Sequence, residues 1–293
     1  MKPSMILANK IAYWTVPPGI KKVILSNLST WVESLNFYTI PREHQLLLQK
    51  NQVLHNRHAG ERCFILATGP SIKSQNLKLL QGENCIAVSN FFLHPDYSLI
   101  RPRYYCIAPY HLPLTEESWS GWMKELDHGT GDSTFFFALG DQKRVEGAGH
   151  FANRQVHYLW FGASSEMIVN SGIDLTRPIL PIHTVTIMAL QVAIYMGFRQ
   201  IYLLGCDHNQ IIGLNKSKYF FSTEEFVQVT KRPLEWNERD IEWFCQEYVD
   251  QWGNYKLMRR VADANSIQIL NATPNSLLDV FERVKYESLF NGN

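Results

Sequence analysis

Seven short apolar runs, each four to six residues long and closed by turn-forming residues, constrain this chain more than any other feature. They are CFILA at 63–67, CIAV at 85–88, YYCIA at 104–108, TFFFA at 134–138, VHYLWF at 156–161, IYLL at 201–204 and IQIL at 267–270. Runs this apolar cannot leave one face to water, so they read as strands buried on both sides, as in a parallel sheet. Helical patterns lie between them. The clearest, 184–197, carries Ile187, Met188, Leu190, Val192, Ala193, Ile194 and Met196 and stops at Gly197, a C-cap signal. A second runs from about 237 to 262. The alternation predicts an α/β fold: a doubly wound, mostly parallel Rossmann-like sheet.

Composition narrows the class. The 293 residues are 45% apolar and 19% charged, enough for one large domain with an appendage. The expected division is an N-terminal helical segment at 1–60 and a catalytic domain at 61–293. Lysine and arginine number 28 against 27 acids, so no strong field points the chain toward nucleic acid. The five cysteines are scattered, with no C-x-x-C. That excludes a disulfide framework and a zinc ribbon and suits a reducing cytoplasm. No apolar stretch approaches a membrane span, and no secretory signal stands out.

Residues 1–32 differ from the rest. Lys2, Lys10, Lys21 and Lys22 are interleaved with Ile6, Leu7, Tyr13, Trp14, Ile20, Val23, Leu25 and Trp31, with no acid before Glu33. Two amphipathic helices broken at Pro17-Pro18-Gly19 would either lie in the interface of an anionic membrane or pack on the domain with solvated lysines. The next stretch, 41–58, reads as a helix with a stripe through Leu46, Leu47, Val53 and Leu54.

In open α/β sheets ligands bind beyond the carboxyl ends of the strands, so the residues after each run are the candidates. After the first run stand Gly69, Pro70 and Ser71. Gly69 permits close approach, Pro70 stiffens the turn, and Ser71 is placed to cap the next helix; the stretch equally suits an ordinary turn. Ser89 and Asn90 follow the second run, placed to bond a base or sugar, or simply to turn the chain. Asp207 and His208 follow the 201–204 run as a candidate acid/base or sugar-binding pair. His183, Thr184 and Thr186 open the 184–197 helix, where free amides attract an anion or Thr184 caps. No D-x-D, H-E-x-x-H or G-x-S-x-G occurs. A divalent-metal transferase site, a zinc site and an esterase elbow are therefore not evident.

The order of these motifs resembles a known family. The Gly-Pro-Ser turn at 69–71, Ser89-Asn90, the 183–197 helix leading into IYLLGCD at 201–207, Tyr219 and TPNSLL at 273–278 look like the bacterial lipooligosaccharide sialyltransferases. The tail NATPNSLLDVFERVKYESLF at 271–290 also resembles proteins of bacterial surface-polysaccharide clusters. These carry the label of an archaeal hydroxymethylpterin pyrophosphokinase that shares the fold. The resemblance implies a single-domain, GT-A-like enzyme that needs no metal or cofactor. It would transfer a sialic- or Kdo-type sugar from its CMP ester to a glycan or lipid-linked glycan acceptor, and the basic, aromatic segment at 1–32 would hold it at the inner face of the bacterial inner membrane.

Carried over by position, the resemblance puts Gly69, Pro70 and Ser71 on the CMP phosphate and ribose, and Asn90 on the donor. Thr184 and Thr186 come near the cytidine or donor sugar, Tyr219 meets the leaving phosphate with Lys216 and Lys218 beside it, and Pro274, Asn275 and Ser276 close the pocket. One departure matters. The family's general base is a histidine before the last helix, and residues 209–293 contain none. Asp207, Glu235, Asp240, Asp250, His208 and His183 remain as candidates, and a different stereochemistry needing no equivalent base is a further alternative. The rival readings are phosphoryl transfer from ATP to a pterin alcohol and a nucleotide-binding module without catalysis.

Overall fold

The computed structural model describes residues 40–111, 114–210 and 241–291. Eight strands form one sheet: β1 (Arg62–Leu66), β2 (Cys85–Val88), β3 (Tyr104–Cys106), β4 (Thr134–Ala138), β5 (Val156–Leu159), β6 (Gln200–Leu204), β7 (Gln268–Asn271) and β8 (Glu282–Arg283). Their order is β5-β4-β3-β2-β1-β6-β7-β8, and each of the seven pairings is parallel. The α/β doubly wound sheet expected from the apolar runs is therefore present. Each of the seven runs supplies one strand, with ends displaced by at most two residues. β8 went unseen because Glu282 and Arg283 are polar and exposed, as an edge strand tolerates.

Alternate residues of each strand feed two cores. Cys63, Ile65, Ile86, Val88, Ile201 and Leu203 point to one face, and Phe64, Leu66, Cys85, Ala87, Tyr202 and Leu204 to the other. The helices that cover these faces are α1 (Arg42–Gln49), α2 (Tyr97–Ile100), α3 (Glu116–Gly129), α4 (Gln142–Gly147), α5 (Ser165–Ser171), α6 (Val185–Tyr195) and α7 (Ile241–Ala264). All eleven residues of α6 are buried, as a helix apolar on every side demands. It packs on β1, β2 and β3 and is covered in turn by α7. Gly197 takes the left-handed conformation just past it (φ 85°), the C-cap its position predicted.

Residues 42–60 pack against the sheet and the end of α6. The face that packs is Leu48, Asn51 and Leu54, each fully buried, whereas Leu46 and Val53 of the expected stripe are 58% and 69% exposed. Asn51 decides the register. Its amide donates to the carbonyls of Tyr158 and Leu175 at 2.8 Å each, and its Oδ1 meets the His157 ring. The backbones of Asn56, His58 and Gly60 then bond to the end of α6. Two buried leucines and a buried amide thus hold this stretch together, on a face that shares only Leu54 with the expected stripe. Residues 1–32 lie outside the described residues. Among the described ones no helix is long and apolar enough to cross a membrane.

Strand order reverses between β1 and β6. Leu66 aligns with both Leu204 and Ala87, so the loops after β1, β2 and β6 leave the sheet side by side. The β1–β6 ladder continues past the strands, with Ala67 N–H donating to Leu204 O and Gly69 N–H to Gly205 O. Gly69 is extended (φ −65°, ψ 150°), which any residue can adopt. Its requirement is space. A Cβ there would lie 2.0 Å from Asp207 Oδ2 and 2.4 Å from the Gly205 carbonyl oxygen. Because one obstacle is backbone, Gly69→Ala is expected to cost about 1–3 kcal/mol and lower the unfolding midpoint. A midpoint unchanged in a thermal melt would mean the two loops part without cost.

Candidate active site

A cavity of about 560 Å³ opens where the strand order reverses. Its floor is Thr68 and Gly69 after β1, Ser89 and Asn90 after β2, and Gly205 to His208 after β6. Its walls are residues 182–186 at the start of α6, Ala108, Pro109 and His111 after β3, Trp122 of α3, and one side of α7. Doubly wound sheets bind ligands at this place. Among the described lining residues none is lysine or arginine. The polar groups these residues offer are backbone amides, hydroxyls, side-chain amides, imidazoles and the carboxylates of Asp207 and Glu247.

The strand-end residues have unequal roles. Asp207 is buried, and its carboxylate is occupied: Oδ1 accepts the Ser71 N–H at 3.1 Å and Oδ2 the Ser71 hydroxyl at 2.8 Å. Ser71 therefore does not cap its helix with its own side chain; Asp207 does so from the neighbouring loop. Burial pushes the Asp207 carboxyl up, and the two bonds from Ser71 oppose that rise. This places Asp207 as a clasp between the β1 and β6 loops. Pro70 occupies the first position of the short helix Pro70–Ser74 and is not part of the cavity wall.

Asn90 is 3% exposed, and its Oδ1 accepts the Trp122 indole N–H at 2.6 Å. An indole only donates, so the acceptor must be the oxygen, which leaves Nδ2 to donate into the cavity. Ser89, beside it, has left-handed backbone (φ 50°), held by the Tyr105 hydroxyl bonded to its carbonyl. Strain of this kind collects at binding sites.

His208 shares that conformation (φ 50°). Its Nε2 lies 2.8 Å from the Tyr255 hydroxyl, and Gln251 bonds the ring as well. Burial pushes the imidazole down to about 4, so it is neutral at pH 7. The Tyr255 hydroxyl in turn bonds Thr186 and Thr184. His208 and Tyr255 thus orient the two threonine hydroxyls at the start of α6. Thr184 makes no capping bond through its side chain, and the N–H groups of Val185 and Thr186 meet no acceptor among the described residues. The amides of a helix entrance are left open toward the cavity. Gln191 holds this entrance in place by bonding the N–H and carbonyl of Leu180.

His183 differs from the other candidate bases. Its Nδ1 lies 3.5 Å from Glu247 Oε1, its backbone N–H donates to Asn254, and its ring lines the cavity. Asp250 lies on α7, accepts from Gln246 and is not in the cavity wall. Tyr219, Lys216, Lys218, Glu235 and Asp240 lie outside the described residues. Pro274, Asn275 and Ser276 do not line the cavity. Ser276 is buried with its hydroxyl donated to the Cys206 carbonyl at 2.6 Å, and Leu277 N–H donates to Asp207 O. Through Ser276 and Leu277 this turn props the β6 loop from behind.

Sequence reasoning passed over Thr68, His111, Trp122, Trp243, Phe244, Glu247, Tyr248 and Gln251, which also line the cavity. On α7 the signal was present: 243, 247, 251 and 244, 248 recur at helical spacing along one side. Among the described residues no group of three or more His, Cys, Asp or Glu side chains is placed to hold a metal ion.

No family model matches this sequence, and no curated protein does. Among solved structures, the chain is similar to the sialyltransferase CstII from Campylobacter jejuni in complex with the substrate analogue CMP-3FNeuAc: TM-score 0.49, 17% identity, 80% of this chain and 89% of that one. A structure of that enzyme with a trisaccharide acceptor and CMP gives TM-score 0.46 and 15% identity over 80% and 88%. The MAf glycosyltransferase from Magnetospirillum magneticum AMB-1 gives TM-score 0.47 and 15% identity over 84% of this chain and 39% of that one.

Two depressed imidazoles set an acid limit on stability. His208 and His157 are each pushed down to about 4 by burial, below the ordinary 6.5 of the unfolded chain. Their neutral forms therefore stabilise fully above pH 6.5, and that contribution is lost as pH falls toward 4, by up to roughly 3 kcal/mol for each group. Asp207, shifted upward, acts with the opposite sign, so the readout is a difference between proteins. His208→Asn keeps a residue that tolerates left-handed backbone and removes the titration. Its unfolding midpoint should fall less steeply than the wild type's between pH 6.5 and 4; equal slopes would contradict the assignment.

Proposed function

We propose that this chain is a glycosyltransferase that works without a metal, moving a sialic- or Kdo-type sugar from its CMP ester to a glycan acceptor. One observation carries the reading. The open amides of Val185 and Thr186, the Nδ2 of Asn90 and the His183 imidazole all border one cavity at the strand-order reversal. The cytidine and the acidic sugar come from the motif resemblance. The membrane-face location and the surface-polysaccharide role rest on residues 1–32 and on the resemblance of the tail.

In this mechanism His183 takes the proton of the acceptor hydroxyl as that oxygen attacks the anomeric carbon. The bond from that carbon to the CMP phosphate oxygen breaks, and CMP leaves with the electron pair. The charge gathering on the phosphate is met by helix amides and threonine hydroxyls already in place, which stabilise it without reorganisation. Glu247, beside Nδ1, orients the ring so that Nε2 faces the acceptor. His208, with Nε2 on the Tyr255 hydroxyl, and Asp207, with an oxygen on each of two Ser71 donors, are the less available candidates for base in this reading. Among the described residues the carboxylates in the cavity wall, Asp207 and Glu247, have partners already, which favours this reading over phosphoryl transfer through a carboxylate-bound metal.

The test is incubation of the full chain with CMP-N-acetylneuraminic acid and CMP-Kdo, with and without EDTA. Release of CMP from one of them, undiminished by EDTA, is the expected result. His183→Gln should lower kcat by roughly 10²–10⁴-fold while CMP still raises the unfolding midpoint. Failure of the wild type to bind or cleave either donor would overturn the reading.

A further inference from the structure

A second concavity, of about 500 Å³, lies at the β5 edge of the sheet and shares no lining residue with the cavity at the strand-order reversal. One wall is α1 with the short helix Lys50–Leu54 that extends it, and the other is the loop after α5. Both walls are fixed. α1 packs on β5, and the Asn51 amide bonds Tyr158 O of that strand and Leu175 O of the loop at 2.8 Å each. Asp174 closes the loop on itself, its Oδ1 accepting the Thr176 N–H at 2.9 Å and the Thr176 hydroxyl at 2.7 Å. Arg177 Nε stands 3.6 Å from Asp174 Oδ2. On the helical wall Gln45, Gln49 and Gln52 recur along one side over about 12 Å, with Arg42 and Leu46 beside them. The Arg42 guanidinium and the Gln49 and Gln52 amides meet no partner among the described residues.

We propose that this groove binds an acidic saccharide, with Arg42 receiving the carboxylate. The inference stands apart from the donor reading, since the two sites have no residue in common. A guanidinium meets a carboxylate as a two-pronged fork, and Arg42 has no acid within ion-pair distance among the described residues, whereas Arg177 already faces Asp174. The other groups select against a bare oxyanion such as phosphate. Phosphate only accepts hydrogen bonds, and the groove also presents acceptors: the Asp174 carboxylate, and the Oε1 of Gln45, whose Nε2 is spent on the Ile40 carbonyl. Facing phosphate, those oxygens would go unpaired. A saccharide hydroxyl both donates and accepts, so a row of amides suits a run of hydroxyls. Leu46, 58% exposed, offers apolar contact to the C–H face of a pyranose. Because Asn51 and the Asp174–Thr176 bonds hold the walls in place, little backbone is left to order on binding.

Saturation-transfer NMR on the full chain tests this with methyl β-glucuronide and the methyl α-glycoside of N-acetylneuraminic acid against methyl β-glucoside, each repeated with added CMP and with added inorganic phosphate. At least one acidic glycoside should show saturation of its ring protons, undiminished by CMP or phosphate, and the neutral glycoside should show less. Arg42→Gln should weaken the acidic glycoside about tenfold, and Arg42→Lys, which keeps the charge without the fork, should restore part of the loss. Both variants change an exposed side chain, so the unfolding midpoint and CMP affinity should stay as in the wild type. Failure of both acids to bind, equal binding of the neutral glycoside, displacement by phosphate, or undiminished binding in Arg42→Gln would overturn the proposal. Absence of CMP binding in the wild type would overturn the donor reading alone.

Discussion

The site depends on one close approach. At the reversal of strand order the β1 loop passes so near the β6 loop that only a glycine fits at position 69, and Asp207 closes the gap by accepting both the N–H and the hydroxyl of Ser71. A buried carboxylate with two donors is a firm tie, since leaving either side unpaired would strand a charge or a donor away from water. The turn at 273–278 reinforces it from behind through Ser276 and Leu277. With the loops fixed, the α6 entrance, Asn90 and α7 are brought to a common cavity. The residues that build the site and those that face a ligand are thus different sets.

That division explains how far the sequence could be read. Seven strands were legible because a parallel sheet covered on both faces needs uninterrupted apolar runs, and helix α6 because it is apolar on every side. Asn51 was not, since a buried amide that bonds two backbone carbonyls is chemically indistinguishable in sequence from a solvated one. The loops after β1, β2 and β6 were found from their position after the apolar runs. Which atoms in them face the cavity depends on cross-chain bonds: Asp207 to Ser71, Asn90 to Trp122, His208 to Tyr255. Those partners lie 136, 32 and 47 residues apart, beyond any local pattern.

In the proposed reading the base is His183, at the entrance of α6 and beside Glu247 of α7. His208, neutral and bonded through Nε2 to Tyr255, backs the threonines of that entrance. The side of α7 that faces the cavity meets the α6 entrance at Tyr255, His208 at Gln251 and His183 at Glu247, at successive turns of a single helix.

A crystal structure with CMP bound tests the central claim most directly. The account predicts the phosphate at about 3 Å from the N–H groups of Val185 and Thr186, with Asn90 Nδ2 donating to the nucleotide and Gly69 against it. A nucleotide seated outside this cavity, or a phosphate turned away from the α6 entrance, would contradict it.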